Sequence, residues 1–299
     1  MNRWLVGARP RTLAAALVPV MVGTAAAAGL NQPGTGWAKG IIWWRAGCAL
    51  VVAVAVQVAT NYANDYSDGI RGVDSEDRIG PARLVGSGLA TAAEVKRAMI
   101  AAFAVTLVAG TPLVLAVGWE LVAVGVAAVA AGWFYTGGSR PYGYAGYGEV
   151  FVFVFFGLVA TVGSTYVQVE AVTALSLLCG VAVGSLSTAL LVVNNLRDIP
   201  GDSRCGKRTL AVRMGENRTR IVYTGLMVVP YLLLPLIAGV YARPVAAAAF
   251  VVILPARRPV LRVLEGAVGP DLIPVLGQTG LVQLAFGVTL ATGLWLSAP

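Results

Sequence analysis

Histidine is absent from this chain of 299 residues, and only 12% of the residues are charged. Without an imidazole, histidine acid–base chemistry and histidine-ligated metals are excluded. Cys48, Cys179 and Cys205 have no metal-like spacing, and two of them lie in apolar stretches, so a disulfide framework is not expected. Catalysis must therefore use Asp, Glu, Lys, Arg or Tyr, or a hard metal on oxygen ligands.

Apolar residues make up 58% of the chain, and the mean hydropathy is +0.77. Soluble globular domains contain roughly 45–50% apolar and about 25% charged residues. The composition therefore excludes a disordered chain, a coiled coil and an ordinary water-soluble core, and it predicts one integral-membrane domain over residues 1–299. The net charge of +8 is attributed to cytoplasmic loops and an anionic substrate, not to a nucleic-acid partner.

Nine apolar stretches are predicted to cross the lipid bilayer, since a crossing helix needs about 20 mostly apolar residues. The eighth stretch, bounded by Pro244 and Pro255, is the poorest fit to a span. The first follows Arg3, Arg9 and Arg11 and is expected to be an uncleaved span, not a signal peptide. The predicted spans are residues 12–30, 46–63, 98–117, 121–136, 150–168, 174–193, 221–241, 244–256 and 276–296.

The positions of the basic residues support nine crossings. Under this topology 19 of the 22 Lys and Arg residues share one side, and only Lys39, Arg45 and Arg243 lie on the other. Because basic residues are enriched in cytoplasmic loops, the N-terminus and the polar loops are expected to be cytoplasmic in a plasma-membrane protein. Every charge lies in a loop or at a span end, which argues against a transporter that uses intramembrane charges.

Two similar acidic motifs follow the second and sixth predicted spans. The segments NYANDYSDGIRGVD (61–74) and NNLRDIPGDSRCGKRTLAVRMG (194–215) both contain Asn-x3-Asp, and the two elements are 133 residues apart. Residues four apart lie close together on a helix face, so these oxygens should project at the cytoplasmic mouth of the bundle. The candidate metal ligands are Asn61, Asp65, Asp68, Asn194, Asp198 and Asp202.

Opposed carboxylates repel each other unless a cation joins them, and Mg²⁺ binds proteins through a few carboxylates together with substrate phosphates. Arg71, Arg83, Lys207 and Arg208 are candidates to bind the diphosphate. An apolar bundle beneath this cluster suits a lipid diphosphate. The alternative, that such segments are solvated caps and turns, fits Glu94 better than two matching motifs on one face.

At these residues the chain resembles the UbiA superfamily of membrane prenyltransferases, and most closely its 1,4-dihydroxy-2-naphthoate polyprenyltransferases of menaquinone synthesis. The resemblance implies an all-α bundle of nine helices whose cytoplasmic cap loops surround a central cavity, with Mg²⁺ as cofactor and Mn²⁺ as a possible substitute. The segments that carry it are ARPRT (8–12), NYANDYSDGIRGVD, GPARLVGSG (80–88), YTGGSRPYGYAGYGE (135–149) and NNLRDIPGDSRCGKRTLAVRMG.

The resemblance also implies a reaction. A polyprenyl group passes from its diphosphate to an aromatic acid, expected to be 1,4-dihydroxy-2-naphthoate with loss of CO₂, with 4-hydroxybenzoate as the alternative acceptor. Asn61, Asp65, Asp198 and Asp202 become the main Mg²⁺-diphosphate positions, and Asp65 and Asp198, with Asp74, become the catalytic candidates. The second aspartate of the family's first motif falls here on Gly69, one residue after Asp68, so Asp74 becomes a candidate on the acceptor side.

The predicted fourth loop contributes aromatic residues. Tyr135, Arg140, Tyr142 and Tyr144 are candidates to shield an allylic cation or to place the acceptor. For the tyrosines an interfacial aromatic belt is an equal alternative. Two rival functions fit the sequence less well. A CDP-alcohol phosphotransferase also uses aspartates and Mg²⁺, but its DGxxAR-type opening is missing, and a transporter is disfavoured by the one-sided motifs.

Overall fold

A computed structural model describes residues 2–30, 38–72 and 83–299. Within these ranges the regular secondary structure is helical, and helices that follow directly on one another are given one label here. The helices are α1 Arg3–Ala8, α2 Ala14–Ala27, α3 Trp43–Ile70, α4 Ala92–Val117, α5 Glu120–Phe134, α6 Gly148–Val169, α7 Ala174–Arg204, α8 Leu210–Val240, α9 Pro244–Leu264 and α10 Gly269–Leu296.

Seven of these helices, α3, α4 and α6 to α10, are long and apolar enough to cross a membrane. The other two apolar helices, α2 and α5, have 14 and 15 residues and coincide with the first and fourth predicted spans. The prediction of an all-helical, multi-pass membrane protein is therefore confirmed. The count of nine crossings stays a prediction, because α2 and α5 are shorter than a straight span requires.

The eighth predicted span, residues 244–256, is longer in the structure than the sequence indicated. A 3₁₀ segment, Pro244–Val252, passes directly into an α-helical segment, Ile253–Leu264. Pro244 begins the helix, where its missing N–H costs nothing. Pro255 lies in the first turn of the α-helical segment and therefore does not end the helix.

The Asn-x3-Asp element of each motif, with the aspartate that follows it, lies on a helix and not in a loop. Helix α3 continues to Ile70 and α7 continues to Arg204, beyond the predicted span ends at residues 63 and 193. Pro200 lies within the last turns of α7, as membrane helices allow. The motif side chains are consequently held at helical spacing where the two helices leave the apolar bundle.

Helix α7 lies at the centre of the bundle, since 78% of its most apolar window is buried. It contacts α6 through glycines: a Cβ on Gly157 would lie only 2.4 Å from the Cα of Gly184. The segment Phe153–Val159 of α6 is π-helical, and such segments shift the register of a helix. The consecutive residues Phe155 and Phe156 both line the cavity described below.

Candidate active site

A cavity of about 540 Å³ lies between α2, α3, α4, α5, α6 and α7. Its walls within the bundle are mainly aliphatic and aromatic, and include Val52, Val56, Phe151 and Phe155. Its polar residues cluster where α3 and α7 end, next to the segment between α5 and α6. The polar side chains there include Arg9, Asn61, Asn64, Asp68, Arg83, Tyr135, Tyr142, Tyr144, Asn194, Asn195, Asp198, Asp202 and Lys207.

The polar residues of the first motif take two positions: some line the cavity, and Asp65 lies behind it. At 3.6 residues per turn, Asp68 lies about 20° around α3 from Asn61, whereas Asp65 lies about 40° to the other side. Asn61, Asn64 and Asp68 therefore line the cavity, and Asp65 is fully buried behind it. Helical geometry thus separates two aspartates that are only three residues apart in the chain.

Asp65 is held by two arginines. Its Oδ1 accepts hydrogen bonds from Arg9 and from Arg83 Nη1, the second at 2.7 Å, and its Oδ2 accepts from the backbone N–H of Leu84 at 3.0 Å. Arg9 and Arg83 both line the cavity. The buried carboxylate thus positions two guanidinium groups at the polar end of the cavity, where an anionic substrate can reach them.

Asp68 has its own cation. Lys207 Nζ lies 3.1 Å from Asp68 Oδ2 and 4.6 Å from the centre of the Tyr144 ring. The Tyr144 hydroxyl donates to Asp68 Oδ1 at 2.5 Å. Burial, and then the Asp68 carboxylate, raise the pKa of Tyr144 well above its usual value, so the phenol stays protonated and remains a donor.

The second motif presents a regular stripe to the cavity. Leu190, Leu191, Asn194, Asp198 and Asp202 line it at helical spacing. Arg197 bonds Asp198 through two nitrogens, at 2.7 and 2.8 Å, and Asn194 Oδ1 at 2.9 Å. Each motif therefore carries an aspartate paired with arginine and cavity-facing oxygens on the same helix.

Three predicted diphosphate or acceptor contacts do not line the cavity in this structure. Arg71 donates to the carbonyl oxygens of Thr136 and Gly138 and therefore holds the segment between α5 and α6. Arg140 and Arg208 are exposed. Asp74, together with Glu76 and Asp77, lies outside the described residues.

The three tyrosines predicted for the cation or acceptor pocket all line the cavity, which favours that prediction over an aromatic belt. Tyr142 donates to the carbonyl oxygen of Ala131 at 2.7 Å, and its ring stacks on Phe151 with 3.9 Å between centroids. Burial raises the pKa of Tyr142 far above its usual value. A protonated aromatic wall therefore connects the polar end to the apolar part of the cavity.

The oxygen donors fit a metal that is shared with a substrate. Among the described residues, no three His, Cys, Asp or Glu side chains come together as a ready metal site. The cavity instead presents carboxylates beside amide oxygens. Mg²⁺ retains several waters and is typically held by one or two carboxylates plus substrate phosphates, so this donor set suits it without an all-protein cage.

Sequence reasoning missed several residues of this site. The sequence assigns Arg9 to the basic residues before the first span and to the ARPRT segment, but not to the site, although it pairs with Asp65. Asn64, Arg197, Asn195 and Glu149 were not singled out. For Asn64 the signal was its position seven residues before Arg71 and four before Asp68, which places it on the Asp68 face of α3. Nothing in the sequence indicated that Glu149 pairs with Asn195.

These features define a multi-pass membrane protein whose apolar cavity ends in paired acidic and basic groups. The UbiA prenyltransferase family profile matches residues 16–265. The chain is 48% identical to the 1,4-dihydroxy-2-naphthoate octaprenyltransferase of Mycobacterium tuberculosis, with 98% of this chain and 96% of the relative covered. It is 38% identical to the Escherichia coli protein of the same name, with 75% and 72% covered.

The fold is also that of solved family structures. A UbiA homolog from Archaeoglobus fulgidus bound to DMAPP and Mg²⁺ superimposes with a TM-score of 0.56 at 16% identity, with 97% of this chain and 99% of that chain covered. The apo structure of a UbiA homolog from Aeropyrum pernix K1 gives 0.68 at 12% identity, with 92% and 97% covered. The chain belongs to the UbiA prenyltransferase family.

Proposed function

We propose that this protein transfers a polyprenyl group from its diphosphate to 1,4-dihydroxy-2-naphthoate, with loss of CO₂, in menaquinone biosynthesis. The observation that carries this proposal is the near-full-length similarity, at 48% identity, to a protein named for that acceptor. The cavity supports it, because one polar end faces an apolar interior of about 540 Å³, as a diphosphate head with an isoprenoid tail requires.

The divalent metal belongs at the polar end of the cavity. Asn61, Asp68, Asn194, Asp198 and Asp202 supply oxygen ligands, and a bound Mg²⁺ or Mn²⁺ withdraws charge from the departing diphosphate. The A. fulgidus homolog was solved with Mg²⁺ and DMAPP, which supports a divalent ion in this role. Asp65 does not line the cavity, and its buried carboxylate positions Arg9 and Arg83 for the diphosphate.

The basic residues at the cavity hold the leaving group. Lys207, Arg9 and Arg83 are already within the polar end, paired with carboxylates that a substrate phosphate can replace. As the C1–O bond breaks, its electron pair leaves with the diphosphate, and these cations stabilise the charge that develops. Their fixed positions reduce the reorganisation that the transition state requires.

The cavity walls control the allylic cation. Four aromatic side chains lie beside the polar end and exclude water from the apolar part of the cavity. They are Tyr142, Tyr144, Phe151 and Phe155. The ring carbon of the naphthoate that carries the carboxyl group attacks C1 of the cation. Release of CO₂ then returns an electron pair to the ring and restores its aromaticity.

The polar end of the cavity is proposed to face the cytoplasm, because 19 of 22 basic residues lie on that side under nine crossings. Reporter fusions should place the N-terminus inside and the C-terminus outside the cell. If both termini report from the same side, one predicted crossing is wrong, and the short helices α2 and α5 are the first to re-examine.

The activity is tested with purified protein, a radiolabelled polyprenyl diphosphate and a panel of aromatic acids that includes 1,4-dihydroxy-2-naphthoate and 4-hydroxybenzoate. We expect a prenylated product, with release of CO₂, from the naphthoate only. If only 4-hydroxybenzoate is prenylated, the proposed acceptor is wrong, but the protein is still a prenyltransferase. Transport of a substrate without any covalent product would contradict the enzyme itself.

A further inference from the structure

A buried carboxyl beside the cavity has no part in the mechanism above. Glu149, at the start of α6, is 6% exposed, and its Oε1 accepts a hydrogen bond from Asn195 Nδ2 at 2.9 Å. Its Oε2 is buried and has no hydrogen-bond partner among the described residues. Burial of a half-satisfied carboxyl costs free energy, so its position beside a cavity indicates a role other than stability.

This pairing sets the orientation of the Asn195 amide. The oxygen and nitrogen of a side-chain amide diverge from one carbon, so a nitrogen held on Glu149 turns the oxygen away from that carboxyl. Asn195 lines the cavity. Glu149 therefore fixes Asn195 with a hydrogen-bond acceptor, not a donor, toward the cavity.

The pair lies beside Tyr135. The ring of Tyr135, which lines the cavity, packs near Gly148, where a Cβ would lie 3.1 Å from Tyr135 Cε2. The basic residues that pair with Asp65 and Asp68 come from other segments, and Arg197, on the same helix as Asn195, is bonded to Asp198 and Asn194. An acceptor oxygen beside a carboxyl repels anionic groups, so a diphosphate has no reason to bind there.

We propose that Asn195 Oδ1 accepts a hydrogen bond from a ring hydroxyl of the aromatic acceptor, and that Glu149 is the positioning residue for Asn195. This inference rests on the proposed function. At neutral pH a ring hydroxyl is the donor group that an aromatic hydroxy acid offers, whereas a prenyl diphosphate in complex with a metal offers none. The Glu149–Asn195 pair thus distinguishes the acceptor from the donor substrate and turns the ring toward C1 of the prenyl group.

The test combines a variant with a modified substrate. The kcat/KM of wild-type protein is measured for 1,4-dihydroxy-2-naphthoate and for its two monomethyl ethers. Methylation of the hydroxyl that meets Asn195 should lower kcat/KM roughly tenfold, the usual effect of losing one buried hydrogen bond. In Asn195→Ala this difference should disappear, while the KM for the prenyl diphosphate stays unchanged. Asn195→Ser serves if the alanine variant does not fold.

Glu149 variants separate positioning from packing. Glu149→Leu should abolish the discrimination between hydroxyl and methyl ether, whereas Glu149→Gln, whose carbonyl oxygen still accepts from Asn195, should retain most of it. The matched control is Glu170→Gln, the same change at a carboxylate that pairs with Arg45 at the other end of the bundle. It should leave all substrate constants unchanged.

Each outcome is decisive. If wild type and Asn195→Ala discriminate equally between hydroxyl and ether, the subsite is wrong. If the Glu149 variants lower only the melting temperature, the pair is simply a link between α6 and α7, and the inference is again wrong. If the wild type forms no product from any aromatic acid, it is the proposed function that fails.

Discussion

Basic side chains at the two ends of the bundle bind different kinds of partner. At the polar end of the cavity, Arg9, Arg83 and Lys207 pair with the carboxylates of Asp65 and Asp68. At the other end, three basic residues donate to backbone carbonyl oxygens where helices finish, and one of them, Arg45, also pairs with the exposed carboxylate of Glu170. These residues are Lys39, Arg45 and Arg243, the same three that the sequence places on the sparse side.

The carbonyl partners lie in or just after the last turns of helices, where carbonyl oxygens have no intrahelical hydrogen-bond donor. Lys39 donates to Trp295 and Ala298 at the end of α10, at 2.9 and 2.6 Å. Arg243 is 3% exposed and donates to Ala28, just after α2, at 2.8 Å. Burial lowers the pKa of Arg243, although a guanidinium remains charged at neutral pH.

This contrast separates the cations that are proposed to serve the reaction from the cations that hold the fold. A side-chain carboxylate can exchange its cation for a metal ion, and the released cation can bind phosphate. A backbone carbonyl oxygen at a helix end is uncharged, and a cation that leaves it leaves a buried polar group unpaired. The cations at the cavity are therefore proposed to be available to substrate, whereas those at the other end hold helices together. Four predictions test the contrast, ordered by the size of the effect that we expect.

Removal of divalent metal should have the largest effect, and only at the cavity. In excess EDTA, turnover should fall to background, because carboxylates and diphosphate then repel each other in the same cavity. Addition of Mg²⁺ or Mn²⁺ should restore it, as measured by product formation. Full turnover in EDTA contradicts the assignment of the motif oxygens as metal ligands.

Asp65→Ala and Asp198→Ala should each lower kcat by at least about 10²–10³-fold, the usual cost of one preorganised electrostatic contact. Asp65→Ala also leaves Arg9 and Arg83 without their shared partner. The control is Glu170→Ala at the other end of the bundle. The Glu170 side chain is 53% exposed, so this variant should keep wild-type turnover. Near-normal turnover of either aspartate variant at saturating Mg²⁺ overturns the site.

Lys207→Met and Arg243→Met should show opposite defects. Lys207→Met should lower turnover more than it lowers the melting temperature, because its partner Asp68 lies in the cavity and keeps the hydrogen bond from Tyr144. Arg243→Met should cost about 2–3 kcal/mol of stability, since it leaves buried carbonyl groups unpaired, with normal turnover in the folded fraction. Thermal inactivation and initial rates of both variants measure the contrast, and identical profiles refute it.

The smallest effect is expected at Glu94, which belongs to a capping box with Thr91 at the start of α4 and lies 3.0 Å from Arg3. Loss of such a box costs about 1 kcal/mol. Glu94→Ala should therefore lower the melting temperature slightly and change kcat less than twofold. A loss of activity equal to that of Asp198→Ala means that acidic residues outside the motifs also serve the reaction.

Much of this molecule was predictable because its signals are local. The length of the apolar stretches predicted the long helices. For α9 it predicted residues 244–256 but not the continuation of the helix to Leu264. The extension of α3 and α7 through the motifs was only partly expected, because polar residues at a helix end resemble loop residues in composition. Glu94 was predicted to be a solvated or capping residue outside the motifs, and the capping role is confirmed by its capping box with Thr91.

By itself the sequence determined the membrane class, the helical architecture, the family and the two acidic motifs, because hydrophobic length and motif spacing are properties of single segments. Only the tertiary structure decided that Asp68 faces the cavity while Asp65 lies behind it under Arg9 and Arg83. It also decided that Glu149 meets Asn195. Such pairings depend on how helices rotate and pack against one another, and residues 18 to 56 positions apart in the chain carry no local signal of that rotation.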